Sequence, residues 1–346
     1  MGTLPARPWS DPTLMPSRPL SFPSMNAALK AAGESTRLRI LALLSEAELT
    51  VSDLMEILRQ SQPRISRHVK LLVEAGLVDR FREGSWAFFR LAEREGGAGL
   101  VPGLLAQLDP HDPVVARDRE QLAQVRGARA AAAQAYFRRH AAEWDRIRKL
   151  HVADQAVEDA IRSALGERPF RSLLDVGTGT SRMLELFGAQ IERGLGIDLS
   201  LEMLSLARAR LDRAGLKHCS VRQADIYDIG LPRDSFDVVI VHQVLHFLDD
   251  SARAIAEAAR VLRPGGRLLI VDFAPHDLEF LRDEHAHLRL GFAADTVAQW
   301  MKAAGLDVTL HRSLPPEPGS DGKIAVSLWL GRDRRVALAD VARDVA

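Results

Sequence analysis

Residues 172–182 read Ser172-Leu-Leu-Asp175-Val-Gly177-Thr-Gly179-Thr-Ser181-Arg182, an apolar run closed by an acid and followed by a glycine-rich turn. Glycines at 177 and 179 permit a tight turn and let a ligand come close to the backbone. Two features sort the ligands that such a turn can serve. A dinucleotide fingerprint wants Gly or Ala at the last position of GxGxxG, and here that position is Arg182. A carboxylate at Asp175, beside the turn, repels a pyrophosphate and attracts an ammonium group. Both features point away from NAD and towards S-adenosylmethionine. Asp198, in Gly196-Ile-Asp198-Leu-Ser and 23 residues after Asp175, is placed to accept from ribose hydroxyls. Asp225, in Gln223-Ala-Asp225-Ile226, can take an adenine amino group at the end of a further strand.

A second group of residues suits a different chemistry. In Ser61-Gln62-Pro63-Arg64-Ile65-Ser66-Arg67-His68-Val69-Lys70-Leu-Leu72, the apolar Ile65, Val69 and Leu72 fall at helical spacing. That spacing leaves Gln62, Arg64, Ser66 and Arg67 facing outward. Gln and Arg can make paired contacts to base edges, while Ser66 and Lys70 suit phosphates. Residues 59–94 hold eight Lys and Arg against four acids, in a chain whose 46 basic and 46 acidic residues balance overall. The neutral total excludes a polybasic nucleic-acid coat but leaves room for a local basic face.

A methyl transfer to oxygen or nitrogen is helped by a general base, and His246 in Val-Leu-His246-Phe-Leu follows the fourth strand at the mouth of the expected pocket. Asp283-Glu284-His285-Ala-His287 resembles a metal-ligand run, but histidines two apart on a helix point about 200° from each other. No metal site is expected there. The lone cysteine, Cys219, can form neither an internal disulfide nor a multi-thiolate site, and such scarcity fits a reducing cytoplasm.

These residues need elements to hold them. Six of the 17 prolines fall within residues 1–24, which reads as a disordered leader without the apolar core of a secretory signal. From Asn26 to about Leu91 the pattern is three helices and then two short strands. Thr50-Val-Ser-Asp53 forms a capping box, and Ser61 with Pro63 starts the next helix. The turn Glu83-Gly84-Ser85 joins Leu77–Arg82 to Trp86–Leu91 in a hairpin. Residues 92–130 are a loop followed by an Ala/Arg/Gln-rich helical run, and Ala130–Ala133 offers a small-residue surface for a dimer contact. From about Phe170 short apolar strands alternate with amphipathic helices, which implies a parallel sheet. Asp307–Leu310 and Lys323–Leu330 read as a terminal hairpin. No apolar stretch approaches the roughly 20 residues that span a bilayer.

The run from Ser61 to Val78, followed by Arg82-Glu83-Gly84-Ser85-Trp86, resembles the winged helix-turn-helix of ArsR-type regulators over residues 26–91. The resemblance implies a dimer on a palindromic double-stranded operator, with Gln62, Ser66 and His68 on the DNA-facing helix and Arg82 and Ser85 in the wing. Arsenic-sensing members carry a Cys-Val-Cys pair where this chain has Thr50-Val-Ser52. Hydroxyls are poor ligands for a soft metal, so thiolate sensing at that place is ruled out.

Residues 170–332 are similar to class I S-adenosylmethionine-dependent methyltransferases. By that resemblance Asp175, Gly177 and Gly179 hold the amino-acid end and Asp198 holds the ribose. Leu199 and Met203 pack on adenine, Asp225 and Ile226 read its edge, and His242 closes the loop. Ser181 replaces a glycine common in that family. Helices preceding the first strand, which carry Tyr136-Phe137 and Trp144-Asp145, cap the cofactor in this class, although core or dimer packing serves those aromatics equally well.

The expected organisation is a leader at 1–24, a winged helix-turn-helix at 25–95 and a linker with a dimerisation helix at 96–133. A Rossmann-like methyltransferase domain at 134–334 with a mostly parallel sheet follows, then a tail at 335–346. The expected fold class is therefore α/β behind an α+β DNA reader. The leading expectation is a cytoplasmic regulator whose second domain binds S-adenosylmethionine or S-adenosylhomocysteine, with no membrane association. Regulators of this domain order are associated with methyl-cycle genes. The alternatives are an active small-molecule methyltransferase with an autoregulatory DNA reader, and a DNA reader with a vestigial second domain.

Overall fold

The computed structural model describes residues 20–83, 86–92, 100–141, 154–166, 170–316 and 324–335. The chain divides into two units, the first ending at Val125 and the second beginning at Arg126.

Most of the proline-rich leader lies outside the described residues, but its expected end at 24 is too late. Helix α1 (Phe22–Ala32) is capped by the Ser21 side chain, which accepts from the Ser24 amide at 3.3 Å. Pro23 sits in the first turn, where its missing N–H has no helical partner to lose. The single helix expected before Thr50 is also two. Gly33 ends α1, and the Glu34 carboxylate caps α2 (Ser35–Leu44) by accepting from the Arg37 amide at 3.0 Å. Strand β1 (Leu49–Thr50) leads into α3 (Val51–Leu58), and the capping box forms in full: the Asp53 amide donates to Thr50 Oγ1 and the Thr50 amide to Asp53 Oδ2. Arg59, at φ 52°, turns the chain sharply into α4 (Gln62–Glu74). Ser61 occupies the cap position of α4 without a side-chain hydrogen bond.

On α4 the buried residues are Ile65, Val69 and Leu72, as the spacing predicts. They meet Ile40, Leu54 and Leu77 in one apolar core. Strands β2 (Val78–Glu83) and β3 (Trp86–Leu91) complete a three-stranded sheet of order β1-β3-β2. After α5 (Leu100–Leu105), the long helix α6 (Pro113–His140) adds Leu122 and Val125 to the same core. The Arg39 guanidinium donates to both oxygens of the buried Asp118 carboxylate on α6, at 2.6 and 2.7 Å.

The second unit is built on a seven-stranded sheet. Its elements are α7 (Asp154–Leu165), β4 (Ser172–Val176), α8 (Arg182–Phe187), β5 (Arg193–Asp198) and α9 (Leu201–Arg213). There follow β6 (Cys219–Gln223), β7 (Phe236–His242), α10 (Ser251–Arg260), β8 (Leu262–Phe273), α11 (Phe280–His285) and α12 (Ala294–Ala303), then the pair β9 (Leu306–Leu314) and β10 (Val326–Asp333). The strand order is β6-β5-β4-β7-β8-β10-β9, parallel except that β10 runs antiparallel to both its neighbours. The terminal hairpin is thus present, although Lys323 lies outside the described residues. Alternate strand residues feed two cores: Leu173, Ile240 and Leu269 on one face, Leu174, Val239 and Ile270 on the other. Burial on both faces explains why these strands read as continuous apolar runs.

From β4 the chain steps outward to β5 and β6, then returns to the other side of β4 with β7. That reversal opens a crevice at the carboxyl ends of β4, β5 and β7, where doubly wound sheets bind ligands.

Candidate functional site

On α4 the side chains of Gln62, Arg64, Ser66, Arg67 and Lys70 are all exposed, and Arg80 and Arg82 are exposed on β2. Ser85 lies outside the described residues. His68 departs from the expected surface. It is turned inward, with Nδ1 3.4 Å from a Glu34 oxygen, and burial holds its pKa below the usual histidine value despite that carboxylate. Arg90, a wing arginine by sequence, stacks over the Phe81 ring at 5.2 Å and pairs with Glu48 at 3.6 Å. The outward face of α4 and β2 therefore carries five cations from Arg64 to Arg82 that no apolar core claims.

The crevice of the second unit encloses about 1120 Å³, its open mouth included, and is lined by Asp175, Gly177, Gly179, Asp198, Leu199, Met203, Ile226 and His242. Eight of the nine residues expected to hold the adenosyl ligand thus surround one space. Asp175 is buried and accepts from Thr178 Oγ1 at 2.6 Å. Thr178 rests against Gly196, where an added Cβ would come within 2.6 Å of its hydroxyl, so β5 needs glycine there. Gly177 has φ +69°, and a Cβ on it would meet Val244 Cγ2 at 2.5 Å. Glycine lets the loop after β7 close onto the turn after β4.

Asp198 takes the Gly179 amide on Oδ2 and the Ser200 amide on Oδ1, each at 2.9 Å. Its carboxylate keeps an accessible edge at the crevice, but protein surrounds the rest, and desolvation raises its pKa despite these amide donors. Two amides fix the carboxylate and leave its remaining lone pairs for a diol. Leu199, Met203 and Ile226 supply the apolar walls that a purine ring needs.

Two placements correct the sequence reading. Asp225 lies two residues beyond β6, is exposed, and accepts from the Tyr227 amide at 2.9 Å; its neighbours Ala224 and Ile226 line the crevice and it does not. Strand β6 ends at Gln223, earlier than expected, and the alternation of side chains shifts accordingly. His246 does not line the crevice. It is 2% exposed, with Nδ1 2.7 Å from Asp272 Oδ1, and its carbonyl accepts from the Leu288 and Arg289 amides. It fastens two loops, while its neighbour Phe247 reaches the ligand space. Of the pair on α6, Phe137 lines the crevice, whereas Tyr136 is buried with its hydroxyl 2.6 Å from His285 Nδ1. Trp144 and Asp145 lie outside the described residues.

Sequence reasoning missed several crevice residues. Ala133 and Gln134 of α6 come from far upstream, and nothing in their types announces a site. Arg182 lines the crevice and is bound by the Glu158 carboxylate at 2.6 and 2.7 Å and by Glu185 at 2.8 Å. Ser181 is fully buried at φ 66°, which explains why a glycine suits that position. Gln243 follows β7 at φ 54°, a conformation that side-chain type does not foretell. His285 and His287 diverge, the first to Tyr136 and the second to a stack on Phe273 at 5.6 Å. Among the described residues no three His, Cys, Asp or Glu side chains are grouped to hold a metal, and no helix is long and apolar enough to cross a membrane.

A doubly wound sheet with acids at or near the ends of β4 and β5, facing an open crevice, fits a Rossmann-like methyltransferase fold. Comparison with known proteins agrees at the level of domains. The family model described as a methyltransferase domain matches residues 174–270, and the model for the arsR family of bacterial regulatory proteins matches residues 34–80. The chain therefore carries an ArsR-family helix-turn-helix domain and a class I methyltransferase domain.

An uncharacterised methyltransferase, YcgJ of Bacillus subtilis, is 31% identical over 106 residues, covering 30% of this chain and 42% of its own. A phosphatidylethanolamine N-methyltransferase of Cereibacter sphaeroides is 34% identical over 106 residues, covering 30% of this chain and 52% of its own. The chain thus spans about half, or less, of these curated relatives. A chain from the complex of the Haloferax volcanii Trm112 methyltransferase activator with a methyltransferase superposes with a TM-score of 0.50 at 22% identity, covering 59% of this chain and 99% of that one. At that identity it bears on the fold alone.

Proposed function

We propose that this protein is a DNA-binding transcriptional regulator whose methyltransferase domain binds S-adenosylmethionine or S-adenosylhomocysteine, and that occupancy of the crevice changes its affinity for an operator. The observation that carries this reading is the double service of α6, which gives Leu122 and Val125 to the core of the DNA reader and Ala133, Gln134 and Phe137 to the crevice wall. A ligand that presses on the second half of the helix acts on an element the DNA reader is built around. Coupling of this kind needs the ligand to prefer one state of that element.

The crevice fits the adenosyl group on its own terms. Asp175 suits the ammonium, Asp198 the ribose diol, and Leu199, Met203 and Ile226 the adenine faces. When bound, S-adenosylmethionine supplies an electrophilic methyl on sulfonium. Helix-turn-helix readers meet paired half-sites as dimers, so the regulator acts as a homodimer on a palindromic operator. Its genes of interest are those that make or consume the methyl donor, and its place is the cytoplasm.

Calorimetric titration of both nucleosides, with and without duplex selected by the protein from a randomised pool, tests this reading. It expects binding of at least one nucleoside and a different affinity when DNA is present. Equal affinity with and without DNA removes the sensor. An active small-molecule methyltransferase is the second reading, favoured by relatives whose names are methyltransferases. Transfer of labelled methyl to a metabolite extract supports it.

A further inference from the structure

Within the crevice, Gln243 has two properties that packing alone does not explain. It is 6% exposed and lines the ligand space, yet its amide nitrogen has no hydrogen-bond partner among the described residues. A buried amide left unpaired costs free energy unless something else satisfies it. Its backbone is also held at φ 54°, pinned by the Gln243 amide donating to the Val271 carbonyl at 2.7 Å. A non-glycine residue in that region persists where the surroundings impose it, commonly at binding sites.

The adenosyl ligand brings one group that the site so far leaves unmatched. Asp175 serves the ammonium of its amino-acid end, but the carboxylate beside it needs a donor. Arg182 is the cation on the nearby wall, and its guanidinium is already held by Glu158 and Glu185. The Gln243 carboxamide can meet the need, because a half-turn of its terminal torsion exchanges its two ends and offers the NH2 to the crevice.

We propose that the Gln243 carboxamide binds the carboxylate of the ligand's amino-acid end, and thereby selects complete S-adenosyl amino acids over adenosyl thioethers cut short beside sulfur. The inference rests on the adenosyl reading of the crevice and adds the group that reads the far end of the ligand.

Calorimetry with S-adenosylhomocysteine and 5′-methylthioadenosine on the full chain separates the two. Gln243→Leu removes the donor and Gln243→Glu sets a carboxylate against a carboxylate. The expected result is a loss of ~10-fold or more in S-adenosylhomocysteine affinity for the first and a larger loss for the second, in line with a hydrogen bond to a charged group. Methylthioadenosine, which has no amino-acid end, binds all three proteins within about two-fold, and its binding certifies an intact crevice. Unchanged S-adenosylhomocysteine affinity overturns the proposal, as does an equal loss for both ligands. A wild-type protein that binds neither overturns the adenosyl reading itself.

Discussion

Asp198 combines an amide-anchored carboxylate with a desolvated setting, and both shape what its removal does. Asp198→Ala should weaken S-adenosylhomocysteine binding by roughly 1–3 kcal/mol, the range for hydrogen bonds to a charged group, and leave ligand-free DNA binding unchanged. Calorimetry and gel shifts on the same variant measure the two effects. Burial raises this carboxyl's pKa in the folded protein, so the fold binds its proton more tightly than the unfolded chain does. The charge therefore opposes folding above the raised pKa, and that cost fades as pH falls through it. Ligand affinity runs the other way, declining as the acceptor becomes protonated. An acid limb present in the wild type and absent in Asp198→Asn is the expected pattern. At this scale the sequence was legible where residue type and strand position coincide, as at Asp175 and Asp198. It misled at Asp225, because β6 stops at Gln223 and shifts the alternation of side chains, and at His246, which lies in a turn four residues beyond β7 and is drawn inward by Asp272. For Gln243 no signal existed, since its conformation is imposed by neighbours.

The elements that carry the site are held by specific contacts. The second half of α6 is fastened to the loop after β7 by Asp249, which accepts from Arg126 and Arg129, each at 2.7 Å. Asp249→Ala leaves two half-buried guanidiniums without that partner. It should cost about 1–3 kcal/mol of stability and weaken nucleoside binding by loosening Ala133, Gln134 and Phe137. Thermal melts with and without S-adenosylhomocysteine check both. The segment after β8 has its own pH dependence. His276 is pushed down to about 4, chiefly by burial, with His246 and Arg282 adding to the effect against Asp277 and Asp272. The unfolded chain takes up this proton near 6.5 and the fold only near 4, so stability drains away between those pH values. His276→Gln should flatten the acid side of a melting-temperature profile over that window. Helix α4 was readable from the spacing of Ile65, Val69 and Leu72. The break between α1 and α2 was not, because Gly33 and Glu34 end and restart a helix through backbone and carboxylate hydrogen bonds rather than through a change of pattern.

Across the whole molecule, zero net charge hides a division of labour. The cations at Arg64, Arg67, Lys70, Arg80 and Arg82 are exposed on one element pair, where they can displace counterions from a duplex. Arg64→Ala with Arg67→Ala should weaken operator binding and reduce the slope of log affinity against log salt by about 1.8, at roughly 0.9 for each phosphate left unneutralised. Nucleoside affinity should not change. Order along the chain, helices and a hairpin first and a parallel sheet second, was visible from the change of periodicity near Phe170, while the roles of the two parts were implied by their resemblances. What periodicity could not reveal is that one helix serves both, since α6 has an almost featureless Ala/Arg/Gln pattern over its length. Ligand control of DNA binding is the claim on which the functional account stands. Fluorescence anisotropy of a selected duplex, titrated with protein in the presence and absence of saturating S-adenosylhomocysteine at fixed salt, measures it directly. The expected result is a shift in dissociation constant of about 5-fold or more, the usual reach of such coupling. Superimposable titrations, under conditions where calorimetry shows the nucleoside bound, would contradict it.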